Sequence, residues 1–502
     1  MKKVYRSTVT LAVIMFLTKL IAFARDVVLA NCYGASYVSD AFLVAISIPT
    51  VLFSGIAAAV FMCYIPVYKE LKVKSAGQIK KFNGSLMSIA LLLSCLGVIL
   101  YQVFDDVILK VFAVGFDSRT FELAKEMSQI MVPVMVFMGA TCILQGYLQA
   151  NECFYLVGAM TIPTNIIIAL SIGFSTEKTL LFMAWGTVAG YAVHLLYFGI
   201  PAYKKGFRLQ LQPDFQQESV RRLFAMVLPV FLGQVVFEIN AVVDKSVASL
   251  LPAGGITALD YSFKLVSVIH SSLVAPISTV IYPKFSEYVV EGSLETLKGV
   301  LNKTLRVVEV MVIPIVAGAM VLARPIVEVL FFRGAFTGEA VRLTAESLVA
   351  YALAVIPISL RIICEKVFYA RKETRIPMFN SMAGIAVNIV LDIILVRSLA
   401  HVGLALATSV SSAVTFFLFF VSLRKRMGGL GGRKILRTGI NSAIAAGIMS
   451  LCVHYCSHTF STAGNVAEIV LCTLVGMAVY LVVMLLLREK TLIEFFQGKR
   501  LK

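Results

Sequence analysis

Apolar residues fall along this chain in long runs separated by short polar stretches. The runs lie near 8–30, 40–68, 83–104, 125–148, 154–174, 178–200, 222–250, 259–283, 304–324, 343–368, 377–397, 402–423, 437–457 and 463–487. About 20 apolar residues in helical form cross the hydrocarbon core of a bilayer. The pattern therefore predicts an all-α integral membrane protein with about fourteen transmembrane helices. The polar stretches at 69–81, 204–222, 284–306, 371–375, 424–437 and 488–502 are rich in Lys and Arg. The alternate ones are neutral, mixed or acidic, as at Asp105, Asp106 and Asp117. Basic connections stay on the cytoplasmic side, which places both termini there. No connection is long enough to form a separate soluble domain.

The pattern also repeats. IPVYKEL at 65–71 returns as IYPKFSEY at 281–288, VILKVFAVG at 107–115 as IVEVLFFRG at 326–334, and MTIPTNIIIALSI at 160–172 as MAGIAVNIVLDII at 382–394. The offset is about six helices, an even number, so the two copies share one orientation and are parallel repeats. The predicted organisation is an N-lobe of helices 1–6 (1–200), a cytoplasmic linker (201–222), a C-lobe of helices 7–12 (223–425), and helices 13 and 14 with a tail (426–502). Repeats of this kind usually hold a substrate path and work by alternating access.

Composition agrees with a membrane protein. Of 502 residues, 59% are hydrophobic and 15% charged, against roughly 45–50% and about 25% in soluble domains. The net charge of +17 comes from the connections and forms no basic stripe with interleaved aromatics, so nucleic acid is not an expected partner. Nine cysteines, scattered mostly through apolar runs, suggest no disulfide framework. The first apolar run shows no small-residue cleavage site, so it is expected to be retained.

Charges inside the runs carry the chemistry. Lys19, Arg25 and Asp26 lie in the first run and Asp40 opens the second. A charge at mid-bilayer costs roughly 3 kcal/mol on insertion scales, so such residues face a polar cavity or one another. Lys19 and Asp26, seven apart, share a helical stripe, whereas Arg25 and Asp26 point about 100° apart. One reading is an internal ion-pair network that fixes packing. The other is a cationic lining for an anionic substrate, with Lys264 of the eighth helix as the counterpart in the second repeat. Two helices also carry Asn and Asp at i, i+4: Asn240 with Asp244, and Asn388 with Asp392. Stacked hard oxygen ligands suit a monovalent cation or a proton, and Thr408 on the next helix offers a hydroxyl. The first repeat keeps Asn165 but has Ala169 in place of the carboxylate. Cys452, His454, Cys456 and His458 match no standard zinc spacing. No nucleophile–base set or phosphate loop is present, so the chain is not expected to be an enzyme.

FARDVVLANCYGASYVSDAFLVAISIP (23–49), ALDYSFKLVSVIHSSLVAPISTVIYPKFSE (258–287), FFRGAF (331–336) and GLALATSVS (403–411) resemble the lipid II flippases, the MurJ/MviN family of the MOP exporter group. The likeness runs through helices 1–12. It implies two six-helix lobes in a V-shaped bundle, with helices 13 and 14 forming a groove for a lipid tail. It also implies movement of the undecaprenyl-pyrophosphate-linked peptidoglycan precursor, lipid II, from the inner to the outer leaflet of the bacterial cytoplasmic membrane. By resemblance, the substrate-binding residues are Lys19, Arg25, Asp26, Asp40 and Lys264. A sodium site would fall on Asp244, Asn388, Asp392, the Leu404 carbonyl and Thr408. No covalent cofactor is implied, with coupling to sodium, a proton or the membrane potential expected. Membrane lipids and the cell-wall synthesis machinery are the expected partners. The sequence departs from the family in helix 2, where many members carry an Arg pair followed by Ala-Glu-Gly and this chain has Phe53, Ser54 and Ala58. Lys264 also stands where Arg is usual, and Lys lacks the bidentate fork that grips phosphate. A flippase for another polyprenyl-linked saccharide is therefore the alternative. A multidrug exporter of the same group fits the cationic first helix less well, and a non-transporting scaffold is a third reading.

Overall fold

The long apolar runs all fold as helix, because a chain in lipid must satisfy its backbone groups internally. The structure is a computed structural model describing residues 2–74, 78–209, 212–460, 464–489 and 491–492, among which there is no strand. The helices in order are α1 (Lys2–Tyr33), α2 (Tyr37–Lys74), α3 (Ile79–Phe112), α4 (Ser118–Met131), α5 (Val134–Ala150), α6 (Phe154–Gly158), α7 (Ile162–Phe174), α8 (Leu181–Lys204), α9 (Glu218–Ala248), α10 (Gly255–Ile269), α11 (Ala275–Val290), α12 (Leu294–Val321), α13 (Ala323–Phe331), α14 (Gly338–Ala370), α15 (Arg375–Met427), α16 (Gly432–Phe460) and α17 (Asn465–Leu486). A π-helical turn, His270–Val274, joins α10 to α11 just before Pro276. Proline has no N–H to donate, and the widened turn absorbs the missing bond.

Among the described residues, eleven helices are long and apolar enough to cross a membrane, or twelve if α4 and α5, bent by 42°, form one span. This falls short of the fourteen expected. Part of the difference is α15, a 53-residue element counted once although Ala400 breaks it with φ 48° and ψ −128°. The chain turns back there, since a Cβ on Gly403 would sit 2.4 Å from the Leu395 carbonyl oxygen. The other part is α1, which stands outside the count.

The repeat is visible in local geometry. α3 leaves helical geometry at Phe104 (φ −116°, ψ 25°) and ends eight residues later. Its counterpart is broken at Leu322 into α12 and α13. The helix after each is capped in the same way. Asp117 accepts from the Thr120 N–H at the start of α4, and Thr337 from the Ala340 N–H at the start of α14.

By packing, the chain forms two compact units, Met1–Thr257 with Arg333–Phe336, and Ala258–Phe332 with Thr337–Lys502. The lobes of the repeat are a division by sequence, and packing divides the chain differently: α9 lies in the first unit, against α2 and α3. The core of the first unit is built by α2, α3, α5, α8 and the start of α9 around Tyr64, whose hydroxyl donates to Asn83 Oδ1 at 2.7 Å. Gly146 admits that ring, since a Cβ there would meet it at 2.7 Å. The second unit packs α14 on α15 and α12, and α16 on α12 and α17. Tyr480, Met449 and Cys472 lie in the core that α12, α16 and α17 share.

Candidate functional site

The charges of α1 sit where its apolar surface is interrupted. Lys19 is exposed. Arg25 turns along its own helix onto its neighbour, with Nη2 2.7 Å and Nε 3.2 Å from Asp26 Oδ1. The long guanidinium stem thus overcomes the 100° between adjacent positions. The Asp26 side chain is 4% exposed and that of Arg25 19%, so the ion pair is buried on one side and open on the other. It is an internal ion pair with one side left open.

Lys264 repeats this arrangement in the second unit. Its Nζ lies 2.6 Å from Asp260 Oδ2 one turn earlier, with side-chain exposures of 29% and 21%. Asp260 is a residue the sequence reading missed, although an acid four positions before a lysine on a helix is a recognisable pair.

Asp40 is placed elsewhere. It is 3% exposed and binds the first turn of α10: Oδ2 accepts from the Gly254 N–H at 2.6 Å, and Oδ1 from the Thr257 N–H at 2.8 Å and hydroxyl at 2.6 Å. A carboxylate here meets unsatisfied amides and the positive end of the helix dipole. In this structure it fastens Gly254 and Thr257, within the first unit, to the start of α2. The surrounding backbones approach closely. Gly254 has φ +91°, and a Cβ on it would lie 2.5 Å from the Ala35 carbonyl oxygen. Gly334, from the FFRGAF stretch, has φ +55° and would place a Cβ 2.2 Å from the Asn31 carbonyl oxygen, which already accepts from the Ala335 N–H at 2.9 Å. A recess of about 380 Å³ beside Asp40 is lined by Tyr37, Arg119 and Ser249 among others. There Arg119 donates to the Tyr37 hydroxyl at 2.6 Å.

α9 places an acid beside α2. Ser54 donates to Glu238 Oε1 at 2.5 Å, and the Glu238 stem packs near Gly55. The sequence reading passed over Glu238, because its partner is 184 residues away.

The candidate cation ligands fall in both units. In the first, Asn240 Nδ2 donates to Asp244 Oδ2 at 3.0 Å, so this amide serves the carboxylate as a donor. In the second, Asn388 and Asp392 are 6% and 2% exposed. They stand one turn apart before the break at Ala400. After the break, the Thr408 hydroxyl lies 3.3 Å from the Leu404 carbonyl oxygen, to which it donates. The Asn388 Nδ2 is buried with no hydrogen-bond partner among the described residues. A half-turn of that amide presents its oxygen instead, and the donor set of carboxylate, amide, carbonyl and hydroxyl is then all hard oxygen, as a small cation requires.

An all-helical chain with repeated halves and charges held inside apolar spans is a multi-pass membrane transporter. The family model described as lipid II flippase MurJ matches residues 29–489. The chain belongs to that family. Lys19, Arg25 and Asp26 precede the matched residues. A probable lipid II flippase MurJ of Thermotoga maritima is 27% identical over 496 residues, 98% of each chain. Among solved structures, the inward closed conformation of a lipid II flippase MurJ superposes with a TM-score of 0.82 at 24% identity, covering 96% of this chain and 99% of that one. An inward-facing multidrug resistance MATE family transporter of the MOP superfamily superposes at 0.67 with 14% identity, covering 82% and 95%.

Proposed function

We propose that this protein moves lipid II, the undecaprenyl-pyrophosphate-linked peptidoglycan precursor, from the inner to the outer leaflet of the bacterial cytoplasmic membrane. Family membership supports the reaction class, and the half-open Arg25–Asp26 pair is the observation that carries the substrate reading. A guanidinium held at 2.7 Å by one carboxylate is preformed and oriented, and phosphate oxygens suit its planar donors. Lys19 and Lys264 add cationic character as point charges. Burial of Asp26 keeps the arginine from withdrawing between cycles. The isoprenoid tail stays in lipid throughout.

No bond is made or broken in this reading, so the protein is a transporter and not an enzyme. Binding of a sodium ion or a proton at Asp244, Asn388, Asp392, Leu404 and Thr408, or the membrane potential, resets it. The charge of the connections supports cytoplasmic termini, and cell-wall synthesis proteins are the partners that would use its product.

One observation favours a second reading. Phe53, Ser54 and Ala58 stand where many members of the family carry two arginines and an acid, and Glu238 meets Ser54 with an acid, not a cation. A cavity poorer in arginine would suit a flippase for another polyprenyl-linked saccharide. Rescue of a strain depleted of its own lipid II flippase separates the two. Growth with normal cell shape supports lipid II, and failure at normal expression supports the other saccharide. Arg25→Ala should abolish rescue, whereas a scaffold without transport would retain it.

A further inference from the structure

The second unit contains a buried polar cluster that the transport reading does not use. It lies where α12, α16 and the segment after α17 meet, on helices other than α15. Two carboxylates are buried there, Glu309 on α12 at 6% exposure and Glu489 after α17 at 5%.

Their surroundings differ sharply. Glu489 Oε1 accepts from the Thr438 and Thr491 hydroxyls, both at 2.9 Å, and from the Thr491 N–H at 3.4 Å. Its Oε2 accepts from Asn441 Nδ2 at 2.8 Å. Burial pushes this carboxyl up, but the donors from Asn441, Thr491 and Thr438 outweigh it and hold it below the usual glutamate range. Glu489 is thus an ionised group fully served by donors. Glu309 has no such service: its Oε2 is buried without a hydrogen-bond partner among the described residues.

Among the described residues, the charged groups acting on Glu309 are Arg306 of its own helix and Glu489. Arg306 is committed elsewhere, with Nε donating to Asn302 Oδ1 at 3.0 Å and Nη1 to the Thr491 hydroxyl at 3.0 Å. α16 presents Gly439 to Glu309, where a Cβ would lie 3.3 Å from Oε1. α17 faces both carboxylates with Tyr480, and among the described residues no charged group of α14, which also packs on α12, acts on Glu309. With both carboxylates ionised, two buried negative charges would share one guanidinium among the described residues. Two carboxylates in one site do not both ionise readily. A metal cation would need several free oxygens, yet Thr438, Asn441 and Thr491 all turn donors toward Glu489. The missing positive charge is smaller than a metal ion.

We propose that Glu309 is a proton-binding site, and that loading it lets α16 and α17 dock against α12. With the proton bound, Glu309 packs neutral against Gly439. Without it, Glu309 repels Glu489, and the contacts that fasten the hairpin loosen. Those contacts include the Tyr480 hydroxyl donating to the Val310 carbonyl at 2.9 Å.

The test uses the purified full-length protein with isotope-labelled glutamate and infrared difference spectra over a pH titration. A protonated carboxyl C=O band should persist above about pH 4.3, the ordinary glutamate value, and disappear at higher pH. Glu309→Gln should remove that titrating band, and Glu309→Asp should retain one. Exchanging sodium for potassium at constant ionic strength should leave it in place. A band that survives in Glu309→Gln, no band in the wild type, or a sodium-dependent shift would each overturn the assignment. Hydrogen exchange of residues 432–460, corrected for its intrinsic pH dependence, reads the docking. It should quicken as the band disappears in the wild type and stay constant in Glu309→Gln. A wild-type rate that does not follow the band would overturn the link to docking.

Discussion

Asp40 holds Thr257 by both its N–H, at 2.8 Å, and its hydroxyl, at 2.6 Å, across 217 residues of sequence. The carboxylate is the acceptor for the first turn of α10, and its other oxygen takes the Gly254 N–H. Removing it leaves buried donors without a partner. Hydrogen bonds to charged groups contribute about 1.5–3 kcal/mol each, so Asp40→Ala should lower thermal stability in detergent markedly. Thr257→Val removes only the hydroxyl bond and should have a smaller effect. If the two residues act as one clamp, the double variant will be less destabilised than the sum of the singles. Additive effects would show that the clamp is not one unit.

Arg25 and Asp26 allow packing and transport to be separated. Arg25→Ala takes the guanidinium from a buried carboxylate, and breaking a buried pair costs about 3 kcal/mol or more. The single variant should therefore lose both stability and flippase activity. Arg25→Ala with Asp26→Asn also removes the buried negative charge and should recover stability while remaining inactive. Recovery of activity in the double variant would place substrate recognition elsewhere. Melting in detergent and rescue of a depleted strain are the two readouts.

The Lys264–Asp260 pair predicts the opposite balance. Both side chains are a fifth or more exposed, and pairs of this kind contribute only about 0.3–0.5 kcal/mol on a helix. Lys264→Ala should barely change stability but should reduce transport. Lys264→Arg should preserve transport, since it adds a bidentate donor set. A Lys264→Ala variant with full activity would remove this cation from the substrate path.

How far the molecule was readable follows from which forces are local. Apolar runs had to become helices, and the i, i+4 spacing that pairs Asp260 with Lys264 was present in the sequence, unread. The caps at Asp117 and Thr337 are local too. By contrast, nothing near Asp40 signals that its partners lie at 254 and 257. Nothing near Ser54 signals Glu238, which is 184 positions later. Glu309 stands close to a basic connection, where an acid draws no attention until α16 and the segment after α17 close over it. Pairings set by tertiary packing were invisible, and they decide whether a charge binds substrate or holds a helix.

Asp214 gives a pH prediction outside the spans. Its carboxyl lies below the usual aspartate range because Lys81 donates to it, assisted by the Gln216 and Gln217 N–H groups. A lowered folded pKa means the stabilisation is complete above the unfolded value, about 3.9, and is lost as pH falls through the folded value. Exchange of the Gln216 and Gln217 amides, corrected for intrinsic rate, should therefore accelerate only in acid. Lys81→Ala should move that acceleration to higher pH. The pair is exposed, so overall stability should change little. An unchanged exchange profile in Lys81→Ala would show that the backbone donors alone hold Asp214.

Asn388 and Asp392 test the coupling. Asp392 is 2% exposed, and a buried carboxylate in a span is retained only where a partner or ion offsets its desolvation. Asp392→Asn keeps the shape and removes the charge. If a cation binds here, flippase activity reconstituted in vesicles should lose its response to a sodium or proton gradient while keeping a basal rate. Asn388→Asp adds a charge to the same face and should raise apparent ion affinity if the bound species is a metal ion. Should the species be a proton, the same variant should instead move the pH optimum upward, because two nearby carboxylates hold their first proton more tightly. Gradient dependence that persists in Asp392→Asn would exclude this face as the coupling site and leave the membrane potential, or another group, to reset the transporter.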